Sequence, residues 1–396
     1  MIATLHNLTD RSLESLEDDL REFSKARSIA LVLPSLYSEL EGPALGPIID
    51  ELSKADYVSQ IIIGLDRADR EQFQHAKQFF ARLPQPHMVL WNDGPRLKAL
   101  DKELAEKDLS PLEPGKGRNV WFCLGYMLAS GEAKVVGLHD CDILHYSRRM
   151  IARLFYPLVH PSFDYRFAKG YYPRVADGQL RGRVTRLLVS PLLQALRKVC
   201  GPKDYIEYLD SFRYPLAGEF AMHTGMVPDL YIPSDWGLEV SILSEIRRNH
   251  STNVICQVDI ADRYDHKHQE LSEHDATRGL SRMSVDIAKS IFRKLATDGE
   301  VFSSERFRTL KATYYRTALD LLDSYYHDAI LNGLSFDRHR ESQTVELFAA
   351  NIMKAGQAFL ETPYEAPFTP RWRRVTAALP TFMDDFREAV AADNAE

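Results

Sequence analysis

The sequence is poor in cysteine, in long apolar runs and in net positive charge, and each shortage excludes a class of protein. Its 4 cysteines form no C-x-x-C pair and no zinc-like spacing with histidine, which indicates reduced thiols in a cytoplasmic protein. No run of about 18 apolar residues occurs and the N-terminus is polar and acidic, so we expect neither a membrane span nor a signal peptide. A formal net charge of −7 argues against general binding to nucleic acid or anionic membranes.

Short apolar runs alternate with amphipathic stretches through the first part of the chain, and this alternation predicts an α/β fold. In chain order the predicted elements are a helix at 1–27, a strand at 29–34, a helix at 44–56, a strand at 58–66, a helix at 68–83, a strand at 87–93, a helix before the turn at 113–119, a helix at 119–130 and a strand at 134–140. The expected result is a Rossmann-like, mostly parallel sheet with helices on both faces, which binds ligands at the carboxyl ends of its strands.

The pattern changes in the second half of the chain. A strand or hairpin is predicted from residue 164, a helix at 182–199 in which Pro191 can introduce a kink, and a late strand at 254–264. After about residue 271 the pattern is almost entirely helical. We therefore divide the chain into an N-terminal helix, two α/β subdomains and a helical C-terminal region, with bounds of 1–28, 29–160, 161–270 and 271–396.

Two aspartates, Asp140 and Asp142, follow directly on the apolar run VVGL. Alternate residues of an extended segment face the same side, so both carboxylates can reach one point. Two like charges at such a distance repel each other unless a cation lies between them, and Mg²⁺ or Mn²⁺ is the hard ion that carboxylates and phosphates bind together. The motif is short, and a surface pair of aspartates at a strand end is the alternative interpretation.

A glycine-rich turn, EPGKGRN at 113–119, places Lys116 directly before a predicted helix. Flexible backbone, a cation and a helix N-terminus together form a setting for an anion. The turn is neither a Walker A loop nor a dinucleotide fingerprint, and an ordinary helix start is an equal alternative.

A second basic stretch runs from Arg166 to Arg186 and contains six basic residues and one acid. Within it, RGRVT begins a predicted helix, where Arg183, Thr185 and backbone amides can donate hydrogen bonds to a phosphate or carboxylate. A solvated basic surface is the alternative.

Polar residues near the later predicted strands add further candidates. His266 and His268 follow the late strand, where a histidine can complete a metal shell begun by Asp142, although solvated histidines are the simpler interpretation. Glu219 and Glu239 stand beside glycines, where they can bind sugar hydroxyls or anchor a turn.

In order, the chain carries LPSLYSE, PGKG, VGLHDCDIL, RGRVTRLLVSPLLQAL, PLAGEF, WGLEV and DRYDHKH. This ordered set resembles the glucosyl-3-phosphoglycerate synthases and their mannosyl relatives, which are retaining glycosyltransferases of the GT-A fold. The likeness covers roughly residues 29–270, and the most specific part is GRVT with its downstream P-L-L, preceded by D-x-D. The resemblance implies a GT-A-type α/β sheet followed by a largely helical C-terminal region.

The resemblance also implies a role for each matching position. The implied nucleotide pocket consists of Pro34, Leu36, Glu39, Lys116, Asp140 and Arg263. The implied metal ligands, for Mg²⁺ or Mn²⁺, are Asp142 and His266. The implied catalytic and sugar-binding residues are Asp142, Glu239 and Leu216. The implied acceptor site consists of Gly182, Arg183, Val184, Thr185 and His268.

The implied reaction transfers glucose from UDP-glucose or GDP-glucose to the 2-hydroxyl of 3-phosphoglycerate. Transfer of mannose from GDP-mannose is the alternative within the family. A sugar-nucleotide pyrophosphorylase and a non-catalytic nucleotide-sugar sensor are the alternatives from other classes. The tyrosine-rich helical tail is expected either to pack on its own subunit or to form a homodimer contact.

Overall fold

Most strands of the chain form one mixed sheet in the computed structural model, which describes residues 2–9, 11–111, 113–234, 236–265, 279–363 and 368–396. The strands within these residues are β1 (Ala3–Leu5), β2 (Ile29–Leu36), β3 (Val58–Asp66), β4 (His87–Trp91), β5 (Val135–Leu138), β6 (Phe167–Tyr171), β7 (Val175–Ala176), β8 (Gln179–Leu180), β9 (Phe220–His223) and β10 (Ile255–Asp259). The order across the main sheet is β1-β10-β6-β9-β5-β2-β3-β4, and β7 pairs with β8 as a separate hairpin.

Helices cover the sheet and make up the C-terminal region. Within the described residues they are α1 (Leu13–Phe23), α2 (Tyr37–Leu40), α3 (Leu45–Leu52), α4 (Arg70–Phe80), α5 (Pro95–Ala105), α6 (Lys116–Ser130), α7 (Arg148–Val159), α8 (Ser190–Cys200), α9 (Asp204–Asp210), α10 (Leu238–Asn249), α11 (Gly279–Thr297), α12 (Ser304–Leu331), α13 (Arg338–Glu361), α14 (Trp372–Ala378) and α15 (Phe382–Ala395). A π-helical stretch, Val184–Val189, precedes α8, and short 3₁₀ turns occupy Thr224–Asp229 and Thr252–Val254. No helix in the described part of the chain is long and apolar enough to cross a membrane.

The four strands predicted in the first half are confirmed, with small differences at their ends. Continuous apolar runs such as Ile61–Ile63 in β3 and Leu31–Leu33 in β2 are fully buried, because helices cover both faces of the sheet at its centre. The helical pattern expected after residue 271 is also confirmed from Gly279 onward.

Strand β9 is one of the elements that the sequence did not predict, and it shapes the site. It runs antiparallel to both of its neighbours, β5 and β6, while the other strands of the main sheet all run in one direction. Leu138 at the end of β5 therefore lies opposite Phe220 at the start of β9. As a result, the residues just before β9 lie at the same edge of the sheet as the residues just after β5.

The helix predicted over residues 1–27 is wrong in its first part. Ala3–Leu5 forms strand β1, which pairs in parallel with β10, so the N-terminal segment of 1–28 belongs partly to the sheet. The helix begins only at Leu13, because the side chain of Ser12 caps it by accepting a hydrogen bond from the backbone amide of Ser15. Strand β1 covers the edge of β10 instead of extending the helix.

The C-terminal helices pack on both halves of the sheet domain. Helices α12 and α13 pack on each other, and both contact the π-helical stretch, while α15 packs on α6 and β4. Trp372 of α14 stacks on Trp121 of α6, with ring centroids 4.0 Å apart. The C-terminal region is thus continuous with the main core.

Candidate active site

The residues predicted to bind a nucleotide lie at one edge of the sheet, where the parallel strands end. Pro34 and Leu36 are among the last residues of β2, and Glu39 follows in helix α2. Asp140 and Asp142 follow β5, which pairs with β2 in parallel. Carboxyl ends of parallel strands meet at the same edge of a sheet, so these five residues lie together at the carboxyl edge. Exposed Arg263 follows the end of β10 at this edge.

Lys116 is a half-buried cation at this edge and is the first residue of helix α6. Its Nζ lies 2.6 Å from Asp140 Oδ1 and 3.3 Å from Glu239 Oε1. Burial alone lowers the pKa of the Lys116 ammonium, but Asp140, Glu239 and Glu219 outweigh burial and raise that pKa well above its usual value. Lys116 therefore stays protonated and joins the D-x-D motif to Glu239 of the predicted sugar pocket.

Two glycines permit close approach at this edge. A methyl group on Gly218, just before β9, would overlap Asp140 Oδ2. A methyl group on Gly117, in the PGKG turn, would overlap the carbonyl oxygen of Pro233. Glycine at 117 lets the PGKG turn pack directly on the backbone at Pro233, and glycine at 218 lets the PLAGEF segment pack directly on the Asp140 carboxylate.

Negative charge predominates around the D-x-D motif. The ionisable groups that act on one another here are Asp140, Asp142, Glu39, Glu219, Glu239, Lys116 and Lys169. Burial, together with repulsion from Asp140, raises the pKa of Asp142 to about 7. A carboxylate whose pKa is raised by burial and a neighbouring like charge is stabilised in its ionised form by an added cation.

The D-x-D carboxylates fit a divalent cation for that reason. Mg²⁺ and Mn²⁺ prefer oxygen ligands, and either ion placed against Asp142 would relieve its repulsion from Asp140. Within the described ranges, no group of three or more His, Cys, Asp and Glu side chains is arranged to hold a metal. The predicted ligand His266 and the predicted acceptor residue His268 lie outside the described residues.

Beside the D-x-D motif, Glu219 is a fully buried carboxylate with both oxygens occupied. The hydroxyl of Tyr172 donates to Oε2 at 2.6 Å, and the hydroxyl of Tyr264 donates to Oε1 at 2.8 Å. The two rings stack with centroids 3.7 Å apart, and the guanidinium of Arg174 lies 5.3 Å from the centre of the Tyr264 ring. Burial, with repulsion from Asp140, raises the pKa of Glu219. Glu219 therefore anchors Tyr172 and Tyr264, and these two rings with Arg174 are called here the tyrosine stack.

Lys169, unlike Lys116, is a fully buried lysine, and it holds the segment that precedes β9. Its Nζ donates to the carbonyl oxygen of Ala217. Burial lowers the pKa of Lys169 to about 8, although Glu239 and Glu219 act in the opposite direction. The bond to Ala217 fixes the backbone next to Leu216, which is half-buried in the predicted sugar pocket.

The predicted acceptor segment begins at Gly182 and enters the π-helical stretch. Gly182 has φ of +71°, and a methyl group there would also press on the side chain of Arg174. Val184 and Thr185 are buried, and the hydroxyl of Thr185 has no hydrogen-bond partner among the described residues. Because Arg174 contacts both Gly182 and the ring of Tyr264, the tyrosine stack links the acceptor segment to the D-x-D edge.

Arginines of the acceptor segment form ion pairs with the C-terminal region. Arg183 Nε lies 2.7 Å from Glu341 Oε1, and Arg186 Nη2 lies 2.9 Å from Glu341 Oε2. Glu341 belongs to α13 and is nearly fully buried. The acceptor segment is therefore held from one side by the tyrosine stack and from the other by the C-terminal helices.

Four residues that make these contacts were not predicted from the sequence. Tyr172, Tyr264, Lys169 and Glu341 contact residues far from them along the chain. One signal was available for Lys169, which stands in the short strand FAKGY with apolar neighbours on either side. A lysine that a sheet buries in this way needs a nearby acceptor and negative charge.

A nucleotide-sugar-dependent, metal-dependent glycosyltransferase is the class that this sheet and its carboxyl edge define. No family model matches the chain. Glucosyl-3-phosphoglycerate synthase of Persephonella marina is 46% identical over 396 residues, which cover 100% of this chain and 98% of that protein. Glucosyl-3-phosphoglycerate synthase of Methanococcoides burtonii is 38% identical over 398 residues, with 99% and 96% covered. The chain belongs to the glucosyl-3-phosphoglycerate synthase family.

Solved structures share the fold. Glucosyl-3-phosphoglycerate synthase from Mycobacterium tuberculosis, in complex with Mn²⁺, UDP-glucose and phosphoglyceric acid, superposes with a TM-score of 0.55 at 22% identity, over 74% of this chain and 88% of that one. Mannosyl-3-phosphoglycerate synthase from Rubrobacter xylanophilus gives a TM-score of 0.54 at 21% identity, over 72% and 80%. The GT-A-type architecture expected from the sequence is thereby confirmed.

Proposed function

We propose that this chain transfers glucose from UDP-glucose to the 2-hydroxyl of 3-phosphoglycerate, with Mg²⁺ or Mn²⁺ as cofactor. The observation that carries the proposal is the pair of half-buried carboxylates at Asp140 and Asp142, joined through the tyrosine stack to the arginine-bearing RGRVT segment. The two carboxylates can bind a divalent metal that in turn binds a diphosphate. The arginine of the RGRVT segment can bind the phosphate of the acceptor. The family relation and the solved relative that holds Mn²⁺, UDP-glucose and phosphoglyceric acid support uridine and glucose for the donor.

The donor residues have distinct tasks in this proposal. A divalent metal bound at Asp142 would neutralise charge on the leaving diphosphate as a Lewis acid. Asp140, held by Lys116 at 2.6 Å, takes the nucleotide side of the pocket. Glu239, which also contacts Lys116, and half-buried Leu216 form the wall against the sugar.

The acceptor residues supply orientation. Arg183 and Thr185 hold the phosphate of 3-phosphoglycerate, so that the hydroxyl to be glycosylated lies against the anomeric carbon. Holding two reactants in a reactive geometry can lower the barrier by several kcal/mol, on the order of 7 or more in the best model reactions.

Retention of configuration is proposed to proceed by attack on the same face as the leaving group, with the departing phosphate taking the proton of the acceptor hydroxyl. A double displacement needs a free carboxylate nucleophile beside the anomeric carbon. Glu219 does not meet this need, because Tyr172 and Tyr264 occupy both of its oxygens. Glu239 is paired with Lys116.

The activity is tested by incubating the protein with 3-phosphoglycerate and, separately, UDP-glucose, GDP-glucose or GDP-mannose. We expect glucosyl-3-phosphoglycerate from UDP-glucose in Mg²⁺ and its loss in EDTA, with recovery when Mg²⁺ or Mn²⁺ is restored. Faster product formation from GDP-mannose would favour the mannosyl reaction, which the fold of the Rubrobacter xylanophilus relative also accommodates. Donor binding without product from any donor would overturn the proposal in favour of a sensor.

A homodimer in the cytoplasm is the proposed state of the protein. The four cysteines are free thiols, which fits a reducing compartment. Near the end of α12, Tyr326, Ile330 and Leu331 expose 37%, 57% and 85% of their surface, and an apolar helix face of this kind suits a second copy.

Leu331→Asp is expected to convert the dimer into a monomer, because a charge in an apolar contact is costly to bury. Leu8→Asp is the control, since Leu8 is equally exposed, at 83%, and lies in the N-terminal segment. Sedimentation velocity measures the outcome. A wild-type monomer, or equal behaviour of both variants, would contradict the interface.

A further inference from the structure

Glu341 is a buried carboxylate of α13 whose contacts lie in the acceptor segment. Its Oε1 accepts from Arg183 Nε at 2.7 Å, and its Oε2 lies 2.9 Å from Arg186 Nη2. A nearly fully buried carboxylate is costly to keep charged unless cations and hydrogen bonds compensate it. The two arginines provide that compensation, and Glu341 in return fixes where their guanidinium groups lie.

The charges of this group do not balance. Two arginines meet one carboxylate, so one positive charge remains in a largely buried setting. Buried donors also remain, since the Thr185 hydroxyl and Arg186 Nη1 have no hydrogen-bond partner within the part of the chain that the structure describes. Buried donors are almost always satisfied in a working protein. An anionic ligand with several acceptor oxygens is what this arrangement lacks.

The geometry of Arg183 shows which side is left for that ligand. Glu341 takes the Nε of Arg183, and no described residue forms a hydrogen bond with the edge of the guanidinium that carries the two terminal Nη atoms. This edge can bind two oxygens of a phosphate at once. Because Glu341 already fixes the guanidinium, binding costs less conformational entropy than it would with a freely rotating arginine.

Further contacts from the C-terminal region hold the same segment. The ring of Tyr325 in α12 lies 5.0 Å from the Arg186 guanidinium, and the Tyr314 hydroxyl donates to the carbonyl oxygen of Leu187. In addition, the backbone amide of Ser335 donates to Gly178 O at 2.8 Å, which fixes the β7–β8 hairpin. The loss of one side-chain charge at Glu341 therefore leaves the segment folded.

We infer that Glu341 is a positioning residue for the acceptor, which orients Arg183 toward the phosphate of 3-phosphoglycerate. The helical C-terminal region is then part of the acceptor site and not only a support for the sheet domain. The inference rests on the proposed function, because it takes 3-phosphoglycerate as the ligand of the RGRVT segment.

The test compares Glu341→Gln with the matched control Glu300→Gln. Glu300 is another buried carboxylate that bridges two cations, with Lys203 at 2.8 Å and Arg306 at 2.5 Å, but these cations lie outside the acceptor segment. We expect Glu341→Gln to raise the KM for 3-phosphoglycerate about tenfold or more and to change the KM for UDP-glucose less than about twofold. Glu300→Gln is expected to leave both constants within about twofold.

Two further variants separate positioning from general damage. Glu341→Asp keeps the charge on a shorter side chain and is expected to recover part of the affinity for 3-phosphoglycerate. In an Arg183→Ala background, adding Glu341→Gln is expected to change the KM for 3-phosphoglycerate little, because the group through which Glu341 acts is gone. Equal effects of Glu341→Gln and Glu300→Gln, equal effects on both substrates, or full additivity with Arg183→Ala would each overturn the inference.

Calorimetry of 3-phosphoglycerate binding to the full chain, in the presence of Mg²⁺ and UDP, tests the positioning role of Glu341 independently of glucose transfer. Wild-type binding that Glu341→Gln weakens, without any glucose transfer, would overturn the proposed function and support the positioning role. Glucose transfer with identical 3-phosphoglycerate binding by both proteins would overturn the positioning role alone. No binding by the wild type would overturn both.

Discussion

Asp142→Asn is expected to lower kcat/KM for glucose transfer by about a thousandfold, which corresponds to about 4 kcal/mol of transition-state stabilisation. Asparagine keeps the size of the side chain but removes the charge that attracts Mg²⁺, so the residual activity should need a higher Mg²⁺ concentration. Initial rates over a range of Mg²⁺ concentrations measure both effects. Asp164→Asn is the control, because Asp164 is exposed and lies just before β6, at the opposite edge of the sheet.

The same substitution is expected to raise the melting temperature in the absence of metal. Burial and the negative charge of Asp140 disfavour the ionised form of Asp142, which raises its pKa, so a neutral amide removes an unfavourable interaction. Lower activity together with a more stable metal-free protein would identify Asp142 as a residue kept for function. Unchanged activity and unchanged metal requirement would contradict a role in metal binding.

Gly218→Ala is expected to lower kcat/KM by about a hundredfold, although it adds a single methyl group. That methyl group would overlap Asp140 Oδ2, so the carboxylate must move and its 2.6 Å contact with Lys116 must lengthen. A displacement on the order of 1 Å at a positioned group can cost about a hundredfold in rate.

Gly225→Ala is the matched control for Gly218→Ala. A methyl group on Gly225 meets no atom within 4 Å, and its backbone conformation is not one that favours glycine. Steady-state kinetics and thermal melting of the two variants distinguish a displaced Asp140 from a general loss of stability. Equal activity of the two variants would show that Asp140 tolerates movement.

Local patterns in the sequence were sufficient for much of the fold. The strands β2, β3, β4 and β5 were predicted because each is a continuous apolar run that a covered sheet buries, and such runs are visible without knowledge of their neighbours. The D-x-D motif and the PGKG turn were visible for the same reason. Their chemistry follows from residues that lie close together along the chain.

Elements and contacts that depend on distant partners were not predictable in this way. Strand β9 has only four residues, and its position between β5 and β6 depends on hydrogen bonds to strands made from other parts of the chain. The pair Arg183–Glu341 joins residues separated by 158 positions, and no periodicity connects two such charges. Glu219 was a candidate for a sugar ligand, and only the two tyrosine hydroxyls on its oxygens identify it as an anchor.

Strand β1 affects the order in which the chain folds during synthesis. Ala3 pairs with Cys256, and Thr4 with Gln257, so about 250 residues must leave the ribosome before β1 finds its partner. Until then its apolar side chains and unpaired backbone groups remain open to other strands. The edge of the sheet next to β10 is thus completed late, and a chaperone that shields the emerging segment would be expected to raise the yield of folded enzyme.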